Sequence, residues 1–235
     1  MKKLFKAFSL VEMLITLAIL SVVMLITTLT LNTIVKTSAI AKYKTVTRHE
    51  VDFAIELIDR LLSNSNVADV YVFDSSEVRY YDVQENQIRD NTESFSEEQI
   101  ALKYDEELAT GDEGNEIHVR PYGYPIWVCI GYFKDNNIED PRGYLVKRTM
   151  TNLTDENHAS CFDQGVEPTQ PLLVLTSEEV SVTDFNVSYI KSASNNNVFY
   201  VDIMMEPIYW VGSSDKIQKE VFRQAVITTK GLTWY

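Results

Sequence analysis

The chain has 235 residues, 45% hydrophobic and 23% charged, with a formal charge of -13 and only 8 glycines. So acidic a chain lacks the Lys and Arg surplus that supplies affinity for nucleic-acid phosphates, and direct nucleic-acid binding is not expected. It carries no Gly-x-Ser-x-Gly elbow, no His-Glu-x-x-His pair and no phosphate-binding glycine loop, so no enzyme and no cofactor is expected.

Lys2, Lys3 and Lys6 precede an apolar run from Phe8 to Val35 in which Glu12 is the only ionisable side chain. As a helix this run is about 42 Å long, more than the ~30 Å core of a bilayer. Residues 8–35 therefore read as a single membrane-spanning helix. The positive-inside rule puts the basic end in the cytoplasm and the rest of the chain outside the inner or plasma membrane. Glu12 is the anomaly, because a carboxylate in lipid costs several kcal/mol unless it is paired, protonated or near the interface. Ala39-Ile40-Ala41 matches an ordinary secretory cleavage site, but the apolar run is about twice the length such signals need and Glu12 interrupts it. An uncleaved membrane anchor is the remaining bland reading.

The helical pattern continues through residues 36–64. Val51, Ala54, Ile55, Ile58, Leu61 and Leu62 recur at helical spacing, and Arg48, Glu50, Asp52, Glu56, Asp59 and Arg60 fill the other faces. Ser63-Asn64-Ser65-Asn66 should end the helix, giving a rod of roughly 80 Å. Thr27, Thr28, Thr30, Asn32 and Thr33 are candidates to loosen it locally, since such side chains compete for backbone hydrogen bonds.

Residues 65–235 read as a β-rich head. Strands are expected at Val67–Phe73, Glu77–Val83, Glu116–Arg120, Ile126–Phe133, Tyr144–Met150, Leu172–Thr176, Val180–Ile190, Val198–Glu206 and Val221–Thr229. The alternation from Val180 to Tyr189 predicts a strand with one wet face, and Asn195-Asn196-Asn197 predicts a hairpin to the next strand. A helix followed by many strands makes an α+β fold with a mainly antiparallel sheet. Near residues 90–116 an acidic insertion holds ten acids and one base, Lys103. Within it Ser96 caps a short helix, and Gly111 to Asn115 form a loop.

Cys129 and Cys161 form either one disulfide or two buried thiols; an even count beyond the membrane helix favours the disulfide. Two Cys at this separation with His49, His118 and His158 elsewhere show no zinc spacing. Asp135 to Asp140, and Asp112, Glu113 and Glu116, supply oxygens without the turn of a calcium loop, so no metal site is assigned. Tyr122, Tyr124, Trp127, Tyr132 and Phe133, with Tyr209-Trp210, are either a ligand surface or core; core is favoured because such residues bury large areas. Trp234-Tyr235 either frays, as termini often do, or closes the last strand.

The basic leader, a small residue, Phe8-Ser9-Leu10-Val11-Glu12-Met13-Leu14 and the long apolar helix resemble the class III signal of type IV pilins and pseudopilins. The resemblance implies that residues 1–7 are a leader removed by a prepilin peptidase after Ala7, with methylation of the new amino terminus on Phe8. Ala7 stands where the family usually has Gly, and keeps its small size. Glu12 then becomes the fifth mature residue, whose carboxylate pairs with the amino terminus of a neighbouring subunit in the filament core. The implied partners are other pilin or pseudopilin subunits, the peptidase, an inner-membrane assembly platform, and lipid before assembly. Within the family the large head and the absence of a Pro in the helix look like a minor pilin or a J-type minor pseudopilin. A subunit of a secretion or DNA-uptake machine and a fibre-displayed adhesive module are the alternatives.

Overall fold

The computed structural model describes residues 9–75, 77–104, 107–137, 141–151, 161–162, 171–191, 196–209 and 219–229, with only the backbone of 66–68 and 101–104. Helix α1 runs without interruption over Leu10–Ser63. The hydroxyls of Thr27, Thr28, Thr30 and Thr33 donate to the carbonyls four residues back at 2.8–2.9 Å. The expected loosening is therefore absent: these side chains add a bond to the helix carbonyls without displacing the ladder. The turn cluster stops the helix as expected, with the Asn64 backbone N–H on the Leu61 carbonyl and the Ser65 hydroxyl on that of Leu62.

Thr47, Val51, Ala54, Ile58 and Leu62 are the buried residues of α1. Their spacing of three and four makes one stripe, and burying each of the larger apolar ones contributes about 1.5–3 kcal/mol. The stripe packs against two antiparallel sheets. The first has the order β1 (Ser65–Phe73), β5 (Glu116–Pro121), β6 (Trp127–Lys134), β7 (Gly143–Met150), β8 (Leu173–Val174). The second has the order β11 (Val221–Thr228), β10 (Asn197–Pro207), β9 (Val180–Lys191), β4 (Glu113–Gly114). The α+β class is thus as expected: a long helix on antiparallel sheets.

The five-stranded sheet is covered on both faces, which explains the near-continuous apolar run of β6. Its Ile130 and Tyr132 join the core shared with α1 and the second sheet, while Trp127, Cys129 and Phe133 join a smaller core on the opposite face. Tyr81 and Ile88 from the hairpin of β2 (Arg79–Asp82) and β3 (Gln87–Asp90) close that smaller core. The two sheets approach closely at Gly143, where an added Cβ would lie 2.0 Å from the Val182 carbonyl oxygen.

Three local features differ from the sequence expectations. Strand β3 was not expected, because Ile88 is its only large apolar residue; ion pairs of Arg89 with Asp82 (2.8 Å) and Arg79 with Asp90 (3.2 Å) tie the hairpin. Glu113–Gly114 pairs with β9 where a loop was expected, since Gly114 alone fits against the Phe73 carbonyl. Helix α2 (Glu97–Tyr104), by contrast, is as expected: Ser96 caps it, with Gln99 reaching back to the Ser96 N–H at 2.9 Å. Strand β9 pairs with β10 as a hairpin, but its alternation slips by one residue at Thr183, where the register shifts opposite Met204 and Met205. Asn195 lies outside the described residues.

Candidate functional site

The candidate assembly site begins at the helix start. Ser9 is the N-cap of α1: its hydroxyl accepts from the Glu12 N–H (3.3 Å), and the Glu12 carboxylate accepts from the Ser9 N–H (3.0 Å). This reciprocal box satisfies two orphan donors of the first turn and sets a negative charge at the positive end of the helix dipole. Glu12 is exposed, and the large apolar side chains that follow it as far as Val35 are each half or more exposed. The helix is long and apolar enough to cross a membrane, and its apolar half contacts nothing in the described head. The expected cleavage residues Ala7 and Phe8 lie outside the described residues.

Cys129 and Cys161 are joined by a disulfide, with Cα atoms 6.4 Å apart and both residues fully buried. The bridge ties β6 to Phe162, whose ring meets Phe133 edge-on at 5.2 Å between centroids. His118 sits directly across from Cys129 in the β5–β6 register. One ligand atom from each of His118, Cys129 and Cys161 lies within 4.8 Å of the others, a juxtaposition that sequence spacing concealed. Bonded to each other, the sulfurs are not thiolates, and the trio is not a metal centre in this state.

Sequence reasoning also missed the buried polar cluster beside the bridge. Glu116 and His118 are two residues apart on β5 and so share a face, and both are fully buried. The Glu116 carboxylate holds His118 Nε2 at 2.5 Å and accepts from the Ser75 hydroxyl at 2.6 Å. Burial works to raise the Glu116 pKa, but the His118 hydrogen bond and charge, then Arg79 and Ser75, leave it below the ordinary carboxylate value. A carboxyl whose folded pKa is depressed stabilises the fold fully above its unfolded value, about pH 4.3, and loses that stability as pH falls through the folded value. The Glu116→Gln variant should therefore be less stable than the parent near neutrality and show a flatter stability profile below about pH 4.3. Urea unfolding across that range, followed by near-ultraviolet dichroism, checks this; parallel profiles would refute it.

The other candidates separate in space. Asp112 and Glu113 are exposed while Glu116 is buried, so the three do not converge on a cation. Asp135 accepts from the backbone N–H groups of Asn137 (3.2 Å) and Arg142 (3.1 Å), which organises its own turn; Ile138 to Asp140 lie outside the described residues. Trp127, Tyr132 and Phe133 are core, and burial pushes the Tyr132 hydroxyl up to about 12. Tyr122 and Tyr124 are instead exposed, beside a mostly apolar cavity of about 470 Å³ between the end of α1 and the β5–β6 turn. Tyr209 is exposed; Trp210, His158, Trp234 and Tyr235 lie outside the described residues.

Comparison with known proteins adds one finding at the same end of the chain. Residues 2–28 match the family model described as the prokaryotic N-terminal methylation motif. No curated protein and no solved structure matches the chain. The motif supports a class III signal of the type IV pilin and pseudopilin kind, and with it a subunit processed by prepilin peptidase, anchored by its helix and assembled with other subunits. The pilin-type signal is that of a family of structural subunits.

Proposed function

We propose that the protein is a minor structural subunit of a type IV pilus or related filament. The carrying observation is the pairing of the methylation motif at residues 2–28 with a helix whose apolar half is exposed throughout and unpartnered by its own head. The peptidase cuts between Ala7 and Phe8 and the new amino group is methylated. The helix waits in the inner or plasma membrane with its basic end cytoplasmic and its head outside. Assembly packs residues 8–35 of neighbouring subunits together, and Glu12 meets the amino terminus of a neighbour. A large head on this helix suits a component that initiates, caps or decorates the fibre. The same geometry serves a minor pseudopilin of a secretion or DNA-uptake machine.

Intact mass and amino-terminal analysis of protein from cells with and without a prepilin peptidase test the reading. The expected mature chain begins at N-methylated Phe8 and disappears without the peptidase. A chain beginning at Lys42, or an uncut chain in both strains, would remove the proposal.

A further inference from the structure

The apolar half of α1 is followed by a segment of one charge sign. Between Glu12 and Glu50 the sequence has no acid, yet it has Lys36, Lys42, Lys44 and Arg48 in a chain whose formal charge is -13. Lys36, Lys42 and Arg48 are exposed and Lys44 is half-buried. None of the four has a carboxylate partner among the described residues, whereas Arg60, Arg89, Arg120 and Arg223 each do. At 100° per residue the four wrap most of the way around the helix, so they form a collar and not a stripe.

The collar starts where the apolar run stops. Lys36 follows Val35 directly, and Lys42 and Lys44 lie roughly 10 and 13 Å further along the axis, with Arg48 at about 20 Å. The polar headgroup layer is about 5–8 Å deep on each side of a bilayer, and charges interact over about 8 Å more at physiological salt. Lys side chains also reach back toward such a layer while keeping their stems on apolar surface. The first three are thus within range of a lipid surface, and Arg48 is at its edge.

We propose that Lys36, Lys42, Lys44 and Arg48 form a docking collar for anionic phospholipid headgroups on the outer face of the membrane that holds the unassembled subunit. This rests on the membrane reading given above. An acidic head is repelled by an anionic surface, so an adjacent basic collar holds the helix at a defined depth while the head stands clear. The acidic head of a second copy is the competing occupant. The lipid is favoured because the charges sit at the end of the apolar segment, where headgroups necessarily lie.

The test uses the full chain reconstituted in vesicles holding phosphatidylcholine and phosphatidylglycerol in equal amounts, then released in mild detergent, with retained phospholipid identified by native mass spectrometry. Each basic residue near an anionic surface strengthens its attraction about fivefold. The preference for phosphatidylglycerol should therefore fall about fivefold or more in K36Q/K42Q/K44Q/R48Q, and also at high salt. It should be unchanged in K134Q/K191Q, which removes two exposed charges from the head. The leader lysines are common to all variants and drop out of the difference. An equal preference in the collar variant, or an equal loss in the head variant, would overturn the proposal. So would a collar effect that appears only as dimer loss with no change in retained lipid, which would assign the collar to a second copy. Carbonate extraction of the parent chain separates the two levels: release from the vesicles would remove the membrane reading itself, whereas a retained chain without lipid preference would remove the collar alone.

Discussion

Glu12→Ala is expected to leave processing after Ala7 largely intact and to reduce incorporation into filaments by about two to four orders of magnitude. In the free subunit the carboxylate closes the capping box with Ser9, which is worth about 1 kcal/mol. In the proposed filament it neutralises a neighbour's amino terminus inside an apolar bundle, and removing one partner of a buried charge pair costs about 3–5 kcal/mol. The two roles are separable. Ser9→Ala removes the hydroxyl cap and keeps the charge, so it should assemble nearly as well as the parent. Quantifying each variant in sheared filaments against its membrane pool makes the comparison. Equal defects in the two would mean that capping, and not charge pairing, is what Glu12 supplies; normal assembly of Glu12→Ala would sink the pairing mechanism.

Loss of the disulfide carries the largest expected effect on the head. The bridge spans 32 residues, for which the chain-entropy model gives about 3–4 kcal/mol, and removal from small extracellular domains typically costs about 2–5 kcal/mol. Here the cost has a definite location. Cys129 and Phe162 belong to the smaller core under the β2–β3 hairpin, so releasing Cys161 uncovers the pocket that keeps Glu116 and His118 dry. The Cys129→Ser/Cys161→Ser variant should lower the midpoint of head unfolding by several degrees and weaken the acid sensitivity ascribed to Glu116. Helix α1, which is anchored in the other core, should keep its far-ultraviolet signal. Near-ultraviolet dichroism during thermal unfolding of the full chain in detergent checks both. An unshifted midpoint would mean that the bridge is ornamental to the fold.

The positions of most strands were legible because β-branched and aromatic runs bounded by turn residues are local signals. Strands β3 and β4 escaped because little apolar surface marks them: Gln87–Asp90 is tied by cross-strand ion pairs and Glu113–Gly114 by a close backbone approach. The slip in β9 was present in the spacing of Val182 and Phe185, but reads as a bulge only when β10 lies beside it. The aromatic group split for the same reason. Trp127 and Tyr122 look alike in composition, yet one enters a core and the other borders a surface cavity.

What the sequence by itself determined is the amino-terminal half of the story: three lysines at the start, a membrane-length apolar helix, one acid within it, and four basic residues after it. These depend on contiguous residues and a helical period, and need no distant partner. The tertiary structure alone decided that Glu116 and His118 are buried together, that His118 faces Cys129, and that Cys129 reaches Cys161. Such pairings depend on strand register and on what covers each sheet face, and both arise from contacts between residues far apart in the chain.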